Sequence, residues 1–217
     1  MELQRQIGFS SYKTAWTWLH KIRRAMIRPS REPLVDRVET DETLVGGAKP
    51  GKRGRGAEGK TAVAGAVEAE RGQTRGRRVG RWRLQAIPDA KKASLEGFLE
   101  ANVAKPATVT TDGFTGYRGL DAVGYAHAPI NLARSWSDAS QKLPAIDLGF
   151  GLAKCWLLGT HHGAVSAKHL HAFLDEHVFR FNRRTARSPA HGFAWLIEHA
   201  VQTRPATYRQ IVHGAAA

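Results

Sequence analysis

Hydrophobic residues alternate with polar ones in some stretches of the chain and recur every three or four residues in others. Alternation predicts β-strands with one buried face, whereas the longer period predicts amphipathic helices. The predicted strands cover residues 38–45, 61–68, 81–88, 108–111 and 125–130. The predicted helices cover residues 90–102, 146–158 and 166–182, and an earlier helix begins after Ser10 or Ser11.

The order of these elements predicts an α/β fold. Three strands in sequence are followed by a helix and then by further strands and helices, which is typical of a mixed five-stranded sheet with flanking helices. No G-x-G-x-x-G joins a predicted strand to a predicted helix, and the strict strand–helix alternation of a dinucleotide-binding fold is missing. We expect a helical segment over residues 1–32, a main domain over 33–185 and a C-terminal helical tail over 186–217.

The N-terminal helix has two interpretations. Ala15, Leu19, Ile22 and Met26 recur at helical spacing, and Gly8 marks a short turn before them. Such a helix is compatible with the second helix of a helix-turn-helix, and equally with an amphipathic helix packed on the main domain. Prolines after this helix forbid its continuation into the main domain.

The chain is strongly basic. Its 217 residues include 33 Lys and Arg against 19 Asp and Glu, a net charge of +14, which favours nucleic acid as the partner. No apolar run approaches the roughly 20 residues of a membrane-spanning helix, and no secretory signal opens the chain. Cys155 is the only cysteine, which excludes an internal disulfide and a cysteine-based zinc site. We expect a cytoplasmic protein.

Two aspartates occupy strand positions suited to metal binding. Asp41 lies in the first predicted strand, and Asp112 closes the fourth and is followed by Gly113. A carboxylate at a strand end can reach solvent or a metal while its strand remains in the core. Two such carboxylates on neighbouring strands can share hard cations such as Mg²⁺ or Mn²⁺. With a basic surface, this pair indicates metal-dependent phosphoryl transfer on DNA or RNA.

A third acidic ligand is expected from a later helix. Asp147, near the start of the helix predicted over 146–158, is our candidate. An aspartate after a proline at a helix start is also a good cap, and spacing alone favours that structural role. Asp175 and Glu176 are an alternative source, although a solvated helix face explains them better.

Two basic hairpins accompany these aspartates. Residues 49–60 and 71–83 are rich in Lys and Arg, and they join neighbouring predicted strands. They suit a clamp on a phosphate backbone, or alternatively a solvated flexible loop. The candidate DNA-contacting residues are Lys49, Lys52, Arg53, Arg55, Lys60, Arg77, Arg78 and Lys154.

Several ordered motifs resemble a known family. V-E-T-D-E-T-L-V-G-G, G-K-R-G-R-G, T-D-G-F-T-G-Y, W-L-L-G-T-H-H-G and F-R-F-N-R-R are similar to ISXO2-like insertion-sequence transposases. The resemblance covers residues 12–184 and implies an RNase H-like catalytic domain of the DDE superfamily. It implies that Asp41, Asp112 and Asp147 hold two Mg²⁺ or Mn²⁺ ions for DNA cleavage and strand transfer. Position 147 is Glu, Asn or His in that family.

The resemblance also leaves alternatives. Relatives carry a cysteine-rich segment and a complete helix-turn-helix, so an N-terminally truncated copy is expected. Such a copy is either an active transposase or a catalytically inactive DNA-binding remnant. An RNase H-like nuclease acting on RNA–DNA hybrids is a further alternative. The expected partners are the element ends and target DNA at the nucleoid, and assembly as a homo-oligomer on DNA is left open.

Overall fold

The chain divides by its internal contacts into two compact units. One comprises Glu32–Leu174, and the other combines Met1–Arg31 with Asp175–Ala217. The computed structural model describes residues 2–28, 30–46, 59–70, 78–130, 143–162, 165–186 and 188–213.

The first unit is built on a five-stranded sheet. Its strands are β1 (Arg37–Val45), β2 (Thr61–Glu70), β3 (Arg78–Ile87), β4 (Thr108–Thr111) and β5 (Ala126–Pro129). They lie in the order β3-β2-β1-β4-β5, and β1, β2 and β3 are antiparallel. Parallel pairing joins β1 to β4 and β4 to β5. The prediction of a mixed five-stranded α/β sheet is confirmed.

Helices cover both faces of this sheet. The helix α3 (Lys92–Asn102) contributes Leu95, Phe98 and Leu99 to a core on one face. The helix α4 (Pro144–His161) packs against β1, β2 and β3. A further helix, α5 (Ala167–Asn182), begins in this unit and ends in the other. The predicted bounds of these helices differ from the observed ones by at most three residues.

Close contact between α4 and the sheet depends on two small residues. The rings of Trp82 and Phe150 meet edge to face with their centroids 5.8 Å apart. A Cβ added at Gly149 would lie 1.1 Å from Cζ3 of Trp82, and one added at Gly65 would lie 2.7 Å from Cζ of Phe150. The absence of side chains at both glycines therefore lets the helix approach the strands.

The second unit is helical. It contains α1 (Glu2–Ile7), α2 (Tyr12–Ala25), α6 (Pro189–Gln202), α7 (Tyr208–His213) and the end of α5. A buried ion pair joins Arg23 Nε to Glu176 Oε2 at 2.7 Å. Ser11 occupies the N-cap position of α2, but its side chain makes no capping hydrogen bond. None of the helices described here combines the length and the apolar character needed to cross a membrane.

Candidate active site

The sheet places Asp41 and Asp112 on neighbouring strands. In the parallel register of β1 and β4, Glu39 pairs with Thr110. Two residues further along each chain come Asp41, still within β1, and Asp112, directly after β4. Equal advance from this pair brings Asp41 and Asp112 to neighbouring positions just beyond the paired segment, and the charge of Asp112 acts on Asp41. The fold thus brings together two carboxylates that are 71 positions apart in the sequence.

Backbone amides orient one oxygen of each carboxylate. The N–H of Glu42 donates to Asp41 Oδ1 at 2.8 Å, and the N–H of Phe114 donates to Asp112 Oδ1 at the same distance. Gly113 takes a φ of 78°, a left-handed conformation that favours glycine in the turn after Asp112. The Oδ2 atom of each aspartate receives no hydrogen bond from any residue that the structure describes.

Burial and the negative charges of neighbouring carboxylates both raise the pKa of Asp41. Burial is the largest cause that raises the pKa of Asp41 to about 7, and the negative charge of Glu42 is the next. The charges of Asp112 and Asp147 raise it further, whereas the hydrogen bond from the Glu42 amide opposes the rise. Glu42, Asp112 and Asp147 thus form an acidic cluster around Asp41, and a cation would stabilise these neighbouring negative charges.

Asp147 belongs to this cluster electrostatically but stands apart in position. It is exposed in the first turn of α4. Partial desolvation raises the pKa of Asp147, and the positive charge of Lys154 lowers it. Among the described residues, no three His, Cys, Asp or Glu side chains converge closely enough to hold a metal ion. Asp147 therefore influences Asp41 without completing a three-carboxylate cage.

Two further glutamates flank Asp41, and we did not single them out from the sequence. Tyr117 donates its hydroxyl proton to Glu42 Oε2 at 3.0 Å. Burial, followed by the charges of Glu42 and Asp41, raises the pKa of Tyr117 well above its usual value. Glu39 is buried and accepts hydrogen bonds from the start of α4. Acidic residues beside Asp41 in a strand that is buried from Val38 to Thr40 are the signal that could have revealed them.

The remaining candidates fall into three groups. Glu176, the alternative third carboxylate, accepts hydrogen bonds from Arg23 and Arg180 and so has a structural role in the helical unit. Lys60 and Lys154 are exposed, and Arg78 begins β3. The other predicted DNA-contacting residues lie outside the described part of the chain: Lys49, Lys52, Arg53, Arg55 and Arg77.

The chemistry of the donor set suits a hard divalent cation. Carboxylate oxygens are the ligands that Mg²⁺ and Mn²⁺ prefer. Asp41 and Asp112 each direct one oxygen to a backbone amide, which leaves the second oxygen available to a cation.

Comparison with known proteins identifies the family. A sequence profile of the ISXO2-like transposase domain matches residues 33–182, which include β1, β4, α4 and the three aspartates of the acidic cluster. No curated protein matches the chain. The matched segment covers more than half of the 217 residues and confirms the resemblance seen in the motifs. The chain belongs to the ISXO2-like transposase family.

Proposed function

We propose that this protein is an insertion-sequence transposase that cuts and joins DNA strands with a divalent metal held by Asp41 and Asp112. The observation that carries the proposal is the parallel register of β1 and β4, which brings Asp41 and Asp112, the residue directly after β4, to neighbouring positions. The raised pKa of Asp41 supports it, because burial and then the neighbouring negative charges destabilise its ionised form, which a bound cation would stabilise. Asp147 is the proposed third ligand.

In this proposal, the chain's own residues fix where the reaction takes place. The amides of Glu42 and Phe114 each donate to Oδ1 of one aspartate, and Asp41 and Asp112 would hold the metal. Mg²⁺ or Mn²⁺, as a pair when bound, supplies Lewis-acid activation of a water or 3′-hydroxyl nucleophile and stabilises the leaving oxygen. Burial of β1 gives Asp41 a rigid support.

Basic residues are proposed to hold the DNA at this site. Lys154 lies two helical turns after Asp147 on the same face of α4, and its charge acts on that aspartate. Lys60 ends the first basic hairpin and is exposed. Contacts from such side chains to phosphates position DNA without reading its sequence. We expect the protein to act on element ends and target DNA in the cytoplasm at the nucleoid.

One observation favours a second candidate function. The three aspartates do not converge into a metal cage among the described residues, and Asp147 is one methylene shorter than the glutamate some relatives carry. A DNA-binding protein without catalytic activity would need neither convergence nor metal. Metal-dependent strand cleavage separates this candidate from the active transposase.

Nicking of a supercoiled plasmid tests the proposed function. We expect the wild-type protein to nick DNA with Mg²⁺ or Mn²⁺ but not with EDTA, and we expect Asp41→Asn and Asp112→Asn to abolish nicking while DNA binding persists. A parallel RNA–DNA hybrid substrate distinguishes a transposase from an RNase H-like nuclease. DNA binding without any metal-dependent nicking would instead support the inactive DNA-binding protein.

A further inference from the structure

The first turn of α4 lacks a cap of its own. Leu143 occupies the N-cap position and makes no side-chain capping hydrogen bond, and Pro144 follows without an N–H. The amides of Ala145 and Ile146 are the second and third of the helix, the two that an N-cap side chain normally satisfies. Both donate instead to Glu39 Oε2, at 2.9 and 3.1 Å. A strand residue more than 100 positions earlier therefore caps this helix.

Glu39, which caps α4, lies in the same strand as Asp41. Glu39 is only 4% exposed and lies two residues before Asp41 in β1, so both side chains point to the same face of the sheet. A buried carboxylate is costly unless it is hydrogen-bonded, and a helix N-terminus provides both amide donors and a favourable dipole. The strand that carries Asp41 is thereby tied directly to the start of α4.

Packing elsewhere on α4 does not provide the same constraint. Gly149 and Phe150 set how closely the helix approaches β2 and β3 through contacts with Trp82 and Gly65. Apolar contacts of this kind are non-directional, whereas a pair of hydrogen bonds to one carboxylate oxygen restrains both translation and rotation of the helix end. The residue that follows this capped pair is Asp147, whose own amide donates to the Leu143 carbonyl at 3.1 Å.

We propose that Glu39 is a positioning residue that sets Asp147 relative to Asp41 and Asp112 for metal binding. The inference rests on the proposed function, since it assigns Glu39 a role at the same metal centre. The Oε2 atom of Glu39 is bound by the two helix amides. Glu39 acts through the backbone of α4, and its removal frees the helix end that carries Asp147.

A double-mutant cycle on Mn²⁺ affinity tests this role. We expect Glu39→Ala to weaken Mn²⁺ binding by about 10- to 100-fold, the usual effect of removing a group that orients a metal ligand. In an Asp147→Ala background the same substitution is expected to change the affinity little, because Glu39 acts through Asp147. An equal loss in both backgrounds would overturn the proposal, since general loosening of the fold does not depend on residue 147.

Glu68 provides a matched control for stability. Its carboxylate accepts the backbone N–H groups of Val35 and Arg81 at 3.0 Å each and pairs with the Arg81 side chain. Glu68→Ala should lower the melting temperature and leave the Mn²⁺ affinity of the folded protein unchanged. A Glu68→Ala loss of affinity as large as that of Glu39→Ala would also overturn the proposal.

Two further results complete the test. If Glu39→Ala does not fold, Glu39→Gln replaces it, because the amide oxygen still accepts an N–H and a smaller loss in the same direction is expected. No loss with Glu39→Gln would then contradict the role. A wild-type protein whose Mn²⁺ binding is absent, or survives Asp41→Asn, would overturn the proposed function and this inference with it. Wild-type binding with an unaffected Glu39→Ala overturns the inference alone.

Discussion

The pKa of Asp41 is raised first by burial of its carboxyl group and then by the negative charges of Glu42, Asp112 and Asp147. Ionisation of this carboxyl group therefore opposes folding unless a cation compensates its charge. The folded protein holds the proton of Asp41 up to about pH 7, whereas an unfolded chain loses it near the ordinary value of 3.8. Ionisation of Asp41 thus destabilises the folded protein progressively as the pH rises from about 4 to about 7. Above pH 7 this destabilisation has reached its full size.

Replacement of Asp41 by Asn removes this cost. Without metal, we expect Asp41→Asn to be more stable than the wild type at pH 8 and equal to it near pH 4. The gap in pKa corresponds to at most roughly 4 kcal/mol at pH 8. Thermal unfolding in EDTA at both pH values measures the difference. Asp121→Asn, which changes an exposed carboxylate bonded to the His127 amide, is the control. The same gain at pH 4 and pH 8 would contradict this account.

The length of the side chain at position 147 is a second residue-scale variable. Asp147 acts on Asp41 electrostatically, yet among the described residues no three acidic groups converge closely enough to hold a metal ion. Asp147→Glu adds one methylene and should bring the carboxylate nearer to the strand aspartates. We expect roughly tenfold tighter Mn²⁺ binding, about 1.4 kcal/mol, and faster nicking. Asp147→Gln, which has the length without the charge, should not gain. If Asp147→Glu leaves the Mn²⁺ affinity unchanged, residue 147 is not a ligand of the metal.

At the scale of elements, α4 joins the acidic cluster to the body of the sheet. Its first turn is fixed by Glu39, and its middle packs on Trp82 through a glycine. Because α4 approaches the sheet so closely, a single methyl group added to its contacting face should disturb the packing of the whole helix.

The glycines of α4 allow a matched test of this packing. Gly149→Ala should destabilise the protein by about 1–3 kcal/mol or more, because its Cβ would overlap the Trp82 ring. Gly151→Ala meets nothing within 4 Å and should be neutral or stabilising by up to about 1 kcal/mol. Urea unfolding of both variants measures the contrast. Equal stability of the two variants would mean that α4 does not pack on Trp82 as described.

Local pattern predicts the elements well, and long-range contacts account for what it misses. Thr108–Thr111 was predicted with its observed bounds, since alternation and flanking turns define a short strand. The helix predicted from residue 146 begins at Pro144 instead. Its first turn has no cap in the neighbouring sequence, so the start depends on Glu39, which only the fold brings there. Hydrophobic periodicity contains no information on such a partner.

At the scale of the whole molecule, the sequence suggests Asp41 and Asp112 as site residues but not the groups that surround them. Asp41 and Asp112 could be proposed because each closes or interrupts an apolar strand, and the shared motifs support the pair. The contributions of Glu39, Glu42 and Tyr117 depend on strand register and burial. These properties arise from pairing between distant segments and cannot be inferred from local spacing.

The excess of positive charge predicts a specific dependence of DNA binding on salt. Neutralising Lys52, Arg53 and Arg55 together should reduce the slope of log affinity against log salt by about two to three, at roughly 0.9 per phosphate contact. Fluorescence anisotropy with a duplex at several salt concentrations measures the slope. Neutralising three exposed cations outside the hairpins, Lys91, Lys92 and Lys105, serves as the control. If both triple variants have the same slope, the hairpin cations do not contact DNA phosphates and serve only to keep the protein soluble.

The central claim is that Asp41 and Asp112 together form a divalent metal centre. Its most direct test is a Mn²⁺ titration of wild type, Asp41→Asn and Asp112→Asn at pH 8, followed by electron paramagnetic resonance of free Mn²⁺. We expect the wild type to bind Mn²⁺ and both variants to lose this binding while remaining folded. Equal Mn²⁺ affinity in all three proteins would contradict the claim.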